Sequence, residues 1–130
     1  MKILKITYRL TTGIIVLGMV LSFYVYLFTP LIKTGFVHLG FPDWFRKELA
    51  IAKLLGALVL AVPKVPERIK EWAYAGFFIN FCSASLAHYQ VGDPLFTQLT
   101  PLFLALLLVL SYITYHRLIL AAKYEKYDES

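Results

Sequence analysis

Four long apolar stretches separated by short polar segments fill most of this 130-residue chain and constrain its fold more than any other feature. A helix needs about 20 mostly apolar residues to cross a hydrocarbon core of roughly 30 Å. The predicted spans cover residues 10–32, 44–62, 72–91 and 101–115. Because backbone polar groups in lipid must be hydrogen-bonded within their own segment, each span is expected to be helical. The sequence therefore predicts an all-α fold, a four-helix transmembrane bundle that forms one domain over residues 1–130.

The composition favours lipid as the surroundings of this bundle. Hydrophobic residues make up 59% of the chain and charged residues 16%, which is more apolar than a soluble domain of this size. The net charge of +5 does not indicate nucleic acid, because the basic residues lie mainly at the ends of the spans and form no aromatic-interleaved basic stretch. We expect the lipid bilayer, and no nucleic acid, as a partner.

The basic residues also predict the orientation of the chain. A cleaved secretory signal is an alternative for the N-terminus, but its apolar run exceeds the roughly 7–15 residues of such signals, and no small-residue cleavage site precedes Pro30. In a four-span arrangement one side carries Lys2, Lys5, Arg9, Lys64, Arg68, Lys70, Arg117, Lys123 and Lys126, and the other carries Lys33, Arg46, Lys47 and Lys53. The excess of positive charge on the first side places both termini in the cytoplasm.

A face of small residues follows the third span. Its members are Ala73, Gly76, Ser83 and Ala87, with Asn80 between them, and the second span has Ala50, Ala57 and Ala61 beside Lys53. Small residues allow close helix approach in lipid. We expect the two faces to meet at the centre of the bundle as a helix-packing seam.

Ionisable residues within spans are costly and mark candidate functional sites. Lys53 is such a residue, and the four-span arrangement places Asn80, His88 and Asp93 toward the same external side. These four side chains are predicted to line a polar cavity that binds an anionic or quinone-like headgroup, because Lys and His can donate to a quinone carbonyl. The alternative is structural: Lys53 pairs with Asp93 or with a backbone carbonyl and only orders the bundle.

Other cofactors are not indicated. Cys82 is the single cysteine, so the chain cannot form an intramolecular dithiol pair. His88 lacks the ligand spacing of a metal or haem site, since His116 belongs to the opposite end and only His38 can share its side. No haem, no metal and no catalytic residue are predicted, a bound quinone is the cofactor considered, and the question of enzyme activity stays open.

Several short segments between Lys33 and Pro94 carry a family resemblance. They are the Gly40-Phe41-Pro42 turn, residues 52–56 (AKLLG), residues 70–77 (KEWAYAGF), and His88 followed by Gly92-Asp93-Pro94. With these segments the chain resembles the DoxX-like family of small four-helix membrane proteins. The resemblance implies a membrane bundle and a multi-pass location in a bacterial inner membrane.

The resemblance also implies two kinds of function. Members of the wider superfamily are associated with membrane redox systems, including quinone-linked thiosulfate oxidation, and distant eukaryotic relatives are assembly chaperones for ion-channel receptors. The first expectation is an accessory or quinone-interacting component of a membrane redox system. The alternative is a noncatalytic assembly module that contacts a protein partner or a second copy, and the third is a small-molecule transporter that works as an oligomer.

Overall fold

The computed structural model describes residues 1–129, which form five helices and no strand. In chain order these are α1 (Lys2–Phe28), α2 (Pro30–Leu39), α3 (Asp43–Ala61), α4 (Glu67–Gln90) and α5 (Leu95–Asp128). The predicted all-α class is confirmed.

The number of helices differs from the prediction of four. The first predicted span, residues 10–32, is interrupted at Thr29, whose φ of −109° and ψ of 116° are extended, and Pro30 begins a separate helix. Proline has no N–H and its ring disfavours a helical conformation at the preceding residue, so α1 stops at Phe28. The end of this predicted span and the residues after it therefore form the separate helix α2.

The last helix is longer than its predicted span at both ends. It begins at Leu95, after Pro94, and contains Pro101, the first residue of the predicted span. It also continues beyond Tyr115 to Asp128. A predicted span marks only the apolar part of a helix, whereas hydrogen bonding continues into polar surroundings.

Two of the described helices, α1 and α5, are long and apolar enough to cross a membrane. The other long helices are more polar. Charged residues occur along α3 as far as Lys53, and α4 contains Asn80 and His88 within an otherwise apolar stretch.

The four long helices contact one another in a closed cycle. Helix α1 packs against α3 and α5, helix α4 packs against α5 and α3, and α2 lies against α3 and α1. At one end the rings of Tyr8 and Tyr115 stack with centroids 6.0 Å apart, and Lys70 donates to the Leu60 carbonyl. We call this the termini end, because it carries the start of α1 and the last part of α5, and we call the opposite end, with α2, the α2 end.

Side chains in the interior are partly polar, whereas the outer surface is apolar. Ser111 is fully buried and its Oγ lies 2.6 Å from Thr12 Oγ1 and 2.7 Å from the Tyr74 hydroxyl, which links α5 to α1 and α4. Such hydrogen bonds join helices in lipid, where no hydrophobic drive brings helices together. Large apolar side chains point outward on all four long helices, among them Leu21, Leu55, Ile79 and Leu106.

The packing seam between α3 and α4 stays a prediction, and its residues lie in different surroundings. The α3 face with Ala50 and Ala57 is buried, and its Lys53 contacts α1. Large α4 side chains, Tyr74, Phe77 and Phe81, belong to the buried core. A Cβ at Gly76 would meet no atom within 4 Å.

The close approach between α3 and α4 occurs at Gly56. A Cβ added there would lie 2.5 Å from Cζ of the Phe77 ring. Gly56 therefore allows an aromatic side chain of α4 to lie directly on the α3 backbone.

Candidate functional site

A cavity of about 280 Å³ lies between the helices toward the α2 end. Lys53, Asn80 and His88 all line it, as do the predicted seam residues Ser83 and Ala87. Much of the remaining lining is apolar or aromatic, including Met19, Phe36, Phe45, Phe81 and Leu104. The cavity thus combines an apolar wall with a few polar groups, which is the usual character of a small-molecule site.

Lys53 is the charged residue of this cavity and is 94% buried, with 6% of its surface exposed. Its Nζ donates to the Tyr26 hydroxyl at 2.8 Å and to Ser22 Oγ at 3.3 Å, and it lies 4.0 Å from the centre of the Tyr26 ring. These partners are neutral. Among residues 1–129 no carboxylate forms an ion pair with Lys53, so its charge is solvated by hydroxyls and a ring but is not neutralised.

Arg46 differs from Lys53, which lies two turns further along the same face of α3. It is equally buried, but its Nε donates to Asp43 Oδ1 at 2.9 Å and its guanidinium also donates to the Tyr26 carbonyl. Tyr26 lies in the last turn of α1, where carbonyl groups have no intrahelical partner. Arg46 therefore caps α1 and has a counter-ion, whereas Lys53 has none.

Asp93 contacts two histidines, one of which, His88, lines the cavity. Its Oδ2 lies 2.6 Å from His88 Nδ1 and its Oδ1 lies 2.8 Å from His38 Nε2. The end of α4 explains this position: Gly92 has a φ of 74°, and the Asp93 N–H donates to the His88 carbonyl. This left-handed turn, which glycine adopts without steric cost, folds Asp93 back toward His88.

The histidine contacts stabilise the charged form of Asp93. Its pKa is lowered from the ordinary value of 3.8 by the hydrogen bond from His88 and then by that from His38. An ionised carboxylate only accepts, so neutral His88 must donate its Nδ1–H, and its Nε2 is left as an acceptor. The carboxylate thus fixes the tautomer of a histidine that lines the cavity.

The structure places three of the four predicted site residues around one cavity, and Asp93 contacts one of them, His88. Within residues 1–129 the hydrogen bonds of Lys53 go to side chains of α1, and not to Asp93 or a backbone carbonyl as the structural alternative expected. Sequence reasoning missed Tyr26 and Ser22, because aromatic and hydroxyl residues are common in apolar helices and neither has a distinctive spacing. It also missed His38 as a partner of Asp93, although it placed His38 on the same side.

A second polar cluster lies at the termini end. His116 of α5 faces Glu67 and Glu71 of α4, with Nδ1 3.7 Å from Glu67 Oε1 and Nε2 2.5 Å from Glu71 Oε1. The Tyr112 hydroxyl donates to Glu71 Oε2 at 3.0 Å. The sequence does not indicate this cluster, because its residues come from helices that are separated along the chain.

Each polar group of the cavity has a definite chemical capacity. Lys53 can donate to a carbonyl or balance a negative charge, Asn80 can donate and accept, and His88 can exchange a proton through Nε2. Together with the apolar wall, these three polar side chains suit a ring-shaped headgroup that has oxygen atoms at its edge.

Comparison with known proteins gives one match. The family model described as the DoxX-like family matches residues 10–111, which is most of the chain and more than the segment that carried the resemblance. No curated protein and no solved structure matches. With five helices around a polar cavity and a match over these residues, the chain belongs to the DoxX-like family.

Proposed function

We propose that this chain is a multi-pass protein of a bacterial inner membrane in which α1, α3, α4 and α5 cross the bilayer. The outward apolar side chains on all four helices support this arrangement, including Leu55 on α3 and Ile79 on α4. The excess of Lys and Arg at the termini end supports a cytoplasmic location for both termini. In this arrangement the cavity opens toward the external half of the membrane.

Within this membrane protein we propose a quinone-interacting, accessory role in a redox system. The observation that carries the proposal is Lys53: a buried cation without a counter-ion, on the wall of a cavity that also contains Asn80 and His88. Burying a charge without an opposite charge is unfavourable, so the buried Lys53 favours a ligand that supplies negative charge or a strong acceptor. A quinone carbonyl, or the oxygen of an ionised quinone-like headgroup, meets this need.

The size of the cavity agrees with a headgroup rather than a whole lipid. Its volume of about 280 Å³ lies near the lower limit of ligand sites, which are roughly 300–1,000 Å³. One ring with its substituents fills such a space, and an attached apolar chain would extend between the helices into lipid.

The proposal is tested by titrating the full chain in detergent with a short-chain ubiquinone. Quenching of the tryptophan fluorescence of the chain reports binding. A hydrogen bond from a charged donor contributes about 1.5–3 kcal/mol, and about 1.4 kcal/mol is a tenfold change in affinity. Lys53→Met is therefore expected to weaken binding about tenfold or more. The matched control is Lys64→Met, which removes an exposed lysine from the loop between α3 and α4 and should leave affinity unchanged.

A second variant separates ligand binding from folding. Ala84→Leu adds bulk to the cavity wall while Lys53 keeps its partners, so it should weaken binding without removing the charge. Circular dichroism and size-exclusion chromatography check that both variants remain folded. Wild-type affinity in Lys53→Met and Ala84→Leu, or no binding by the wild type, would reject the cavity as the quinone site.

The small-residue face of α4 favours a second candidate, an assembly module that holds a partner helix. Gly76 is exposed, and no neighbouring helix covers it. A groove of about 380 Å³ runs beside it between α3 and α4. This candidate predicts that the purified chain retains a protein subunit and that Gly76→Leu releases that subunit while Lys53→Met does not.

A further inference from the structure

The cluster at the termini end brings together three potential metal ligands. One ligand atom each from Glu67, Glu71 and His116 lie within 4.8 Å of one another. Glu67 and Glu71 are one helical turn apart on α4, and His116 reaches them from α5. The group lies on the opposite side of the molecule from Lys53 and is independent of the proposed quinone site.

The charges in this cluster do not balance. Glu67 and Glu71 are like charges at positions i and i+4, an arrangement that destabilises a helix unless a cation lies nearby. Within residues 1–129 neither carboxylate pairs with a Lys or Arg, although basic residues are frequent at this end, and His116 is their shared ion-pair partner. Since one imidazole supplies at most one positive charge, at least one negative charge is uncompensated.

The hydrogen bonding of His116 is also incomplete. Its Nε2 is buried and has no hydrogen bond of acceptable geometry, although Glu71 Oε1 is only 2.5 Å away. An imidazole nitrogen and a carboxylate oxygen that lie side by side without a hydrogen bond can both direct lone pairs to a common cation. A bound ion is one of the physical explanations for a buried polar atom without a hydrogen-bond partner, and the two adjacent carboxylates favour a cation here.

From these observations we propose that Glu67, Glu71 and His116 form a binding site for a divalent first-row metal ion, of which Zn²⁺ and Mn²⁺ are the test cases. Two carboxylates and one imidazole suit such ions: carboxylates favour Mn²⁺, and imidazole favours Zn²⁺. At ligand distances of about 2.0–2.2 Å, neighbouring ligand atoms on a tetrahedral ion stand roughly 3.4 Å apart. The three ligand atoms lie within 4.8 Å of one another, so small rotations of the partly exposed glutamates would bring them to that separation.

Tyr112 positions one of the ligands. Its hydroxyl donates to both oxygens of Glu71, at 3.3 and 3.0 Å. A hydrogen bond of this kind orients a metal-binding carboxylate, and its loss typically costs about 10–100-fold in metal affinity. Glu71 and Tyr112 also border a cavity of about 220 Å³ between α4 and α5, which leaves space for further ligands of the ion.

The test is equilibrium binding of Zn²⁺ and of Mn²⁺ to the full chain in detergent, after treatment with a chelator. The wild type is expected to bind one ion per chain, and Glu71→Gln and His116→Gln should each weaken binding at least tenfold. Tyr112→Phe should weaken it by about 10–100-fold, since it removes the group that orients Glu71. The matched control is Glu48→Gln, an exposed glutamate of α3 at the other end, which should bind as the wild type does.

Two outcomes would overturn the metal site. One is a wild-type chain that binds neither ion at a stoichiometry of one. The other is binding that persists in both Glu71→Gln and His116→Gln, which would assign it to other surface groups. Because Glu71 is partly exposed, its variant is expected to fold even if His116→Gln does not, and size-exclusion chromatography reports this directly.

Discussion

At the scale of single residues, the partners of the buried or clustered charges come from neighbouring helices. Lys53 of α3 contacts Tyr26 and Ser22 of α1, and His116 of α5 faces Glu67 and Glu71 of α4. Asp93, in the turn after α4, contacts His88 of α4 and His38 of α2.

The carboxylate of Asp93 makes a pH-dependent contribution to stability. Its pKa is lowered by His88 and His38 in the folded chain, so the unfolded chain binds its proton more readily. The stabilisation is therefore fully present above the ordinary pKa of 3.8 and is lost as pH falls through the lower folded value. We expect Asp93→Asn to lower the melting temperature at neutral pH, with a difference from wild type that disappears in strong acid.

Thermal unfolding in detergent at a series of pH values measures this difference. The control is Asp128→Asn, which alters an exposed carboxylate near the end of α5 and should change little at any pH. An Asp93→Asn variant as stable as the wild type at neutral pH would show that the two histidine contacts do not stabilise the fold.

At the scale of helices, proline explains the largest error of the sequence prediction. The apolar residues continue through Thr29 and Pro30 without a break in hydropathy, so a span predicted from hydropathy passes over the point where α1 ends. Hydropathy also does not distinguish which small residue permits close approach. The alternating spacing on α4 indicated Gly76, whereas packing of Phe77 selects Gly56.

The two glycines give a matched pair of substitutions. Gly56→Ala places a Cβ 2.5 Å from the Phe77 ring, and overpacking of this kind typically costs about 1–3 kcal/mol. Gly76→Ala meets no atom within 4 Å, so the gain of about 0.5–1 kcal/mol from replacing a mid-helix glycine is opposed by no clash. The measured free energy of unfolding should be higher for Gly76→Ala than for the wild type and lower for Gly56→Ala. The reverse order would contradict the described contact between α3 and α4.

At the scale of the whole molecule, composition and the family resemblance predicted more than individual motifs did. The all-α class follows from long apolar segments that must satisfy their own backbone groups, and the match over residues 10–111 confirms the family. The side of each helix that faces the interior was harder to predict, because both lipid-facing and buried positions are apolar. The candidate site was therefore predicted as a set of side chains on one side of the membrane, without its cavity or its hydroxyl partners.

Native mass spectrometry tests the central proposal most directly, applied to the chain extracted from its own membrane in mild detergent. If the cavity at Lys53 binds a quinone, the wild type retains a small molecule with the mass of a quinone or a similar lipophilic headgroup compound. Folded Lys53→Met should lose that mass. A wild-type chain that retains no small molecule, or only a protein subunit, would contradict ligand binding at Lys53, and a retained subunit would favour the assembly module instead.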